Sequence, residues 1–411
     1  MMETEQISHL IADLSHADAT QRRAAAEELG DADERALYPL IQTLRDDNPG
    51  VQDAAMRSLI HLGGEVTAYM TLPLLREGPY LRNTAMLIIK EIGPPAIPLL
   101  RTLFADKDDD IRKFAVDLIG EIKACDYSWD LIRLLETDPN PNVRASAAKV
   151  VGILRYREAL PALVVALQDD EWVCFSALEA LAEFGEEACL EPVGKLLTSP
   201  LSALRYAAIE TLGKIGSARA SGILHAYLPK ANDMEKNAII RSLVQTGLTP
   251  AMSGIADSLM GMLKEGEWEE RLIAIRGLAD IREDRAIPVI IDIAGSLDPS
   301  DPIDEERLSA VRQALVSFEC VDSVVETLNN PLIKYRGKVI AIQVLKEVGC
   351  TGAVPHLVPL LEAMSVHVVL AAIDAVEHLA ENEASTILSS LRDHPDVEVR
   401  DRIRLLLEGS S

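Results

Sequence analysis

VRASAAKVVGIL (Val143 to Leu154), IRKFAVDLIGEI (Ile111 to Ile122) and LRYAAIETLGKIG (Leu204 to Gly216) are one pattern written three times. The residue before the internal A-x-x-x-L rhythm sets a register that runs Arg22, Gln52, Arg82, Arg112, Arg144, Cys174, Arg205, Lys236, Arg271, Arg307, Lys338, Val369 and Arg400. Most steps between these thirteen anchors are 30 to 32 residues; the two exceptions, into Arg271 and Arg307, are 35 and 36. The tenth anchor is fixed only to within one residue. A period of this kind marks stacked supersecondary units, each touching only its neighbours.

Apolar residues recur three, four, seven and ten positions after the anchor, as at Ala115, Val116, Ile119 and Ile122. That is one buried face of a helix. Glycine often falls eleven positions on, at Gly63, Gly93, Gly185, Gly216, Gly247 and Gly349, where a residue that tolerates positive φ ends a helix. Between anchors lies a second apolar stretch that opens on a small residue and a proline: AIPLLRTL (Ala96 to Leu103), ALPALVVAL (Ala159 to Leu167), AIPVIIDI (Ala286 to Ile293) and AVPHLVPLL (Ala353 to Leu361). Proline suits a first helical turn, whose N–H has no partner to lose. No stretch alternates at period two, so the expected fold is all-α, a solenoid of about thirteen helix-turn-helix repeats.

The motif D-x-x-V-R-x-x-A-x-x-x-L-G, carried by DDDIRKFAVDLIG (Asp108 to Gly120), DPNPNVRASAAKVVG (Asp138 to Gly152) and DVEVRDRIRLLL (Asp396 to Leu407), resembles the HEAT-like repeats found in phycobilisome lyase subunits and in proteins of many other roles. The resemblance covers essentially the whole chain. It implies a single HEAT-repeat solenoid over residues 1–411, with irregular longer repeats around 247–306, and anchor helices lining a concave side. It leaves activity open, because one scaffold serves unrelated functions.

Several function classes fit poorly. The chain carries 40 basic and 65 acidic side chains, a net charge of −25, whereas nucleic-acid binding requires a basic footprint. HEAT-like DNA glycosylases line their groove with basic and aromatic residues, which this acidic chain does not match. The HEAT-type enzyme deoxyhypusine hydroxylase uses His-Glu pairs to hold iron, and none of the eight histidines is followed by Glu. His367 and His378 lie eleven residues apart on one helix, roughly 16 Å and too far for one metal ion. There is no phosphate-binding glycine loop, no G-x-S-x-G and no H-E-x-x-H. Cys125, Cys174, Cys189, Cys320 and Cys350 form no C-x-x-C pair and read as reduced, mostly buried thiols. The longest apolar runs fall short of a membrane span, and the acidic MMETEQISHLIADL start is unlike a signal peptide. The expectation is a cytoplasmic protein with no enzymatic activity, catalytic residue, metal or cofactor, binding neither nucleic acid nor membrane.

The recurring Arg invites a structural reading: a guanidinium bonding the linker carboxylate of its own or the next unit, interrupted at Cys174 and Val369. Positions one and five beyond the anchor point away from the apolar stripe. The fifth position reads Arg241, Arg276 and Arg312 in repeats eight to ten, and the first gives Phe175 and Tyr206 in repeats six and seven. Arginine and aromatic residues together are common interface anchors, although Glu179 and Glu210 share the face and could pair with neighbours. The resulting expectation is a protein-interaction scaffold or adaptor that grips an acidic or amphipathic partner segment, with these five residues as its site. The alternative is a phycobilin lyase-like, chromophore-handling subunit. Leu405, Leu406 and Leu407 could cap the last repeat or meet a second copy, and the oligomeric state stays open.

Overall fold

The computed structural model describes residues 2–124, 127–247, 254–380 and 383–409. Cys125 therefore lies outside the described residues. Contacts gather the chain into two compact units, Met1–Tyr227 and Leu228–Ser411, and each is described on its own. Helices and short 3-10 turns alternate throughout, with no strand among the described residues.

The anchor helices of the first unit are Ala19–Glu28, Pro49–Leu62, Pro79–Ile92, Asp109–Ile122, Pro141–Ile153, Glu171–Phe184 and Ser202–Ile215. Each places its anchor at the fourth residue. Their starts and stops follow the local chemistry that the sequence displays. Side chains of Asp18, Asn48, Asp108, Asn140 and Asp170 accept from the backbone N–H two residues on, a cap worth about 1 kcal/mol. At the other end, Gly63, Gly93, Gly185 and Gly216 all adopt positive φ, between 57° and 73°. The preceding helices begin with proline in the first turn, as at Pro98 and Pro161. Residues three and seven after the anchor are buried in all seven helices; in repeat five Val143, Ala147, Ala148 and Val151 are all buried. Helices pack closely enough there that a Cβ on Gly152 would lie 2.6 Å from that of Ala180.

The anchor side chains tie the linkers down. Arg112 donates from Nε and Nη2 to the Asp138 carboxylate at 2.7 and 2.9 Å, and from Nη1 to the Asp106 carbonyl at 2.8 Å. One repeat on, Arg144 holds the Asp169 carboxylate in the same way and donates to the Asp138 carbonyl at 2.7 Å. Asp138 is thus gripped by its side chain from the preceding repeat and by its backbone from its own. Arg22 holds Asp46 bidentately, and Gln52 supplies the bond to the Asp46 carbonyl. The expected ladder is present at repeats one, four and five.

Elsewhere it changes character. Arg82 lies over the Phe114 ring at 5.3 Å, while Asp106 is held by Arg76. Cys174 offers only a thiol to the Leu167 carbonyl at 3.4 Å.

In the second unit the anchor helices are Asp233–Thr246, Trp268–Asp280, Pro302–Ser317, Tyr335–Glu347, Val366–Leu379 and Val397–Gly409. Arg271 and Arg307 both lie over the Trp268 ring, at 5.6 and 5.0 Å; for Arg271 the cation–π contact stands in place of a linker carboxylate, while Arg307 also donates to Asp304 of its own helix at 2.9 Å. Arg400 keeps the carbonyl bond, to His394, at 2.6 Å. Gly247 and Gly349 again have positive φ. Of the insert before repeat ten, only residues 298–301 form an exposed loop; Gly295 and Leu297 are buried, and 302–306 belong to the next helix, which Asp301 caps. That helix begins five residues before Arg307; its buried residues are Val311 and Leu315, followed by buried Phe318 just past its end. These fit an anchor at Leu308 rather than Arg307, because the extra acidic turn lengthens the helix at its start. Leu405 at the last helix is exposed.

Burial alone would raise the Asp138 carboxyl, but donation from Arg112 and from the Asn140 N–H outweighs it and holds the group below the usual carboxylate range. A carboxyl depressed on folding contributes stability above its unfolded value and loses it as pH falls through the folded one. Arg112→Met is expected to destabilise the first unit by about 3–5 kcal/mol, since it leaves a nearly inaccessible carboxylate unpaired. Asp138→Asn should lower stability at pH 7 and weaken the loss seen below about pH 4. Urea unfolding followed from pH 7 to pH 3 checks both; an Arg112→Met chain as stable as the parent would contradict the ladder's role.

Candidate functional site

The face formed by positions one and five beyond the anchor carries a cleft in each unit. In the first unit a cleft of about 570 Å³ is lined by Lys113 and Asp117 of repeat four, Ala145 and Lys149 of repeat five, and by Ile153 and Trp172. Alanine at position 145 leaves the space open. Lys113 is neutralised by Asp117 at 2.7 Å, and Asp117 also accepts from the Ser146 hydroxyl. Trp172 is 68% exposed at the rim.

The second unit holds a smaller cavity of about 300 Å³. Leu308 and Arg312 of repeat ten and Val339 and Gln343 of repeat eleven supply one wall, and Leu297 closes the apolar floor. Arg312 Nη1 donates to Gln343 Oε1 at 3.0 Å. At the rim the Tyr335 and His367 rings stack with centroids 5.9 Å apart and planes at 21°. Arg336 lies over Tyr335, donates to the Leu297 carbonyl at 2.8 Å and stands 3.9 Å from Asp298.

The residues singled out from sequence are distributed between the units. Phe175 and Tyr206 belong to the first. Phe175 is half-buried with its ring 6.1 Å from that of Trp172, and Tyr206 is 40% exposed on the next anchor helix. Arg241, Arg276 and Arg312 belong to the second. Arg241 and Arg276 are exposed and make no hydrogen bond or ion pair among the described residues. Arg312 is half-buried in the cavity wall, one step further inward, which follows from the shifted register of repeat ten.

Trp172, Arg336 and His367 were missed. Each sits two residues before its anchor, and spacings of minus two, one and five fall on one helical stripe. The signal was present, three and seven residues before positions already chosen.

The break in the ladder at Cys174 opens no reactive site. Burial first, and then the nearby Asp169 and Glu171 charges, push the thiol up to about 11; burial likewise raises Cys189. Cys320 and Cys350 are half-buried. Among the described residues no group of three or more His, Cys, Asp or Glu could hold a metal ion, and no helix is long and apolar enough to cross a membrane.

HEAT repeats match by family model over residues 7–80, 97–174, 129–186 and 169–244, together more than half of the chain. The chain belongs to the HEAT-repeat family. No curated protein matches it in sequence. Among solved structures, this HEAT-repeat chain is similar to that of Kap95p with RanGDP, at 12% identity and TM-score 0.57 over 98% of this chain and 68% of that one. A Kap95:Nup1 complex gives 12% identity and TM-score 0.53 over 99% and 68%. These likenesses show the fold, an all-α solenoid. The complex of CpcE and CpcF of phycocyanin lyase from Nostoc overlaps 35% of this chain and 96% of that one, with 21% identity and TM-score 0.33, too slight to carry an argument.

Because a protonated buried thiol is a poor nucleophile, Cys174 and Cys189 of the folded HEAT-repeat chain should stay unlabelled by iodoacetamide at pH 8 and react once urea unfolds the first unit. Peptide mass mapping reads the outcome, and labelling of Cys174 in the native chain would contradict the packing described.

Proposed function

We propose that this HEAT-repeat chain is a non-enzymatic scaffold or adaptor that acts in the cytoplasm and holds a protein segment against the minus-two, one and five face of its anchor helices. The observation that carries the reading is Arg312: a half-buried guanidinium on an apolar cavity wall, bonded to a neutral amide and to no carboxylate among the described residues. In a chain of net charge −25, a cation held this way favours an acidic or amphipathic segment, because guanidinium groups bond carboxylates in a bidentate fashion. Arg241 and Arg276 extend the positive charge along the second unit. Phe175 and Tyr206, with Trp172, offer apolar anchors in the first.

Kap95 is in complex with Nup1 in one similar structure and with RanGDP in another, which supports protein binding by a stack of this kind. The acidic composition disfavours nucleic acid, and the reading needs no metal, cofactor or membrane.

The test is affinity capture by the tagged full chain from its host, beside the variant Arg241→Glu, Arg276→Glu, Arg312→Glu. A partner held by the parent should be lost by the variant. Its affinity should fall by about tenfold or more between 50 and 500 mM salt, as exposed charges are screened. Salt-insensitive binding that survives the triple substitution would overturn the site.

A further inference from the structure

The cavity at Arg312 has features that narrow its occupant further. Its volume, about 300 Å³, is at the lower end of ligand pockets and accommodates one side chain rather than an extended stretch. Its floor is apolar, from Leu297, Leu308, Val339 and Ile340.

The charges on its wall are unequally committed. Arg336 bonds the Leu297 carbonyl and neighbours Asp298. Among the described residues Arg312 bonds only the Gln343 amide oxygen, and it lines the cavity with its other donors uncommitted. Glu305 adds a negative charge to the lining. The cavity therefore presents one uncommitted positive charge beside an apolar floor, which suits a single negative charge. A dianionic phosphate would meet Glu305 with too little compensation.

Apolar body and anionic group must come from nearly the same place on the ligand, because Arg312 stands on the wall of a one-residue cavity. An internal Asp or Glu carries its carboxylate on a different side chain from the apolar group that would fill the floor. A chain terminus carries both on one residue. We infer that the cavity captures the apolar C-terminal residue of a partner protein, its side chain on Leu308, Val339 and Ile340 and its carboxylate on Arg312. The stacked Tyr335 and His367 rings form the rim over which the preceding residues leave. This inference rests on the partner-binding reading above and specifies its anchor.

The probe is acetyl-Gly-Gly-Phe with a free carboxylate, titrated into the full chain with labelled methyl groups, beside its C-terminal amide and the internal acidic peptide acetyl-Gly-Glu-Phe-Gly amide. The free acid should shift the methyl signals of Leu297, Leu308, Val339 and Ile340. The C-terminal amide should bind about tenfold more weakly or less, and Arg312→Gln should weaken the free acid similarly, the size of one charged hydrogen bond. Arg312→Lys should restore part of the affinity, and unchanged methyl signals elsewhere show that the variants fold.

Equal binding of acid and amide, indifference to Arg312→Gln, or no shift at these methyls overturns the inference. If the internal acidic peptide binds at the same methyls as well as the free acid, the terminal-carboxylate assignment fails while the broader partner-binding reading stands.

Discussion

The structure depends on how a linker between helix pairs is fixed to the repeats on either side. Asp138 shows the constraint in its full form: a carboxylate held bidentately by Arg112, a carbonyl held by Arg144, and the Asn140 cap two residues later starting the next helix. Taking a guanidinium and a carboxylate out of water is costly, and the pair is favourable only when geometry is good and the remaining polar atoms are satisfied. Here they are. The bond does what apolar contacts alone cannot, because hydrophobic burial is non-directional, whereas a two-pronged hydrogen bond sets the offset between successive helix pairs.

That division of labour leaves one stripe of each anchor helix with no structural duty. Residues three and seven after the anchor fill the core, the anchor itself binds the linker, and positions minus two, one and five face outward. Side chains on this stripe are free to be selected for recognition; the first-unit cleft lies there, and the second-unit cavity takes Arg336, Val339, Gln343 and His367 from it, with Leu308 and Arg312 entering from the anchor and fourth positions of the shifted repeat ten. The two differ in chemistry. In the first unit Lys113 is cancelled by Asp117 beneath an exposed Trp172; in the second, Arg312 meets no acid among the described residues. Where the linker ladder lapses, Arg271 turns to the Trp268 ring, and Arg307 lies over the same ring while bonding Asp304 of its own helix, so the arginine is retained while its partner changes.

Much of this was legible in the sequence. The glycines eleven positions after the anchor, the prolines in the first turns and the apolar spacing follow from backbone sterics and burial, which act locally. The Arg-to-Asp contact of repeats one, four and five was legible as a linked pair of residue types. Its replacement at Arg82 was not, since a ring supplied by Phe114 and a competing Arg76 are matters of tertiary placement. Repeat ten misled by one residue because the acidic insert lengthened its helix, and that shift is why Arg312 turns inward while Arg241 and Arg276 do not. The Tyr335–His367 stack and Arg336 were readable in principle as the upstream part of the same stripe. Their convergence on one cavity depends on contacts between repeats, which periodicity does not encode.

The central claim is that recognition uses the outward stripe of the anchor helices. Hydrogen exchange of the full chain, free and bound to a partner captured through it, tests this most directly. The account predicts added protection in the anchor helices that carry the clefts, above all Pro302–Ser317 and Tyr335–Glu347, with the preceding helices Ile287–Ala294 and Val321–Asn329 little changed. Protection confined to those preceding helices, with the anchor helices unaltered, would contradict it.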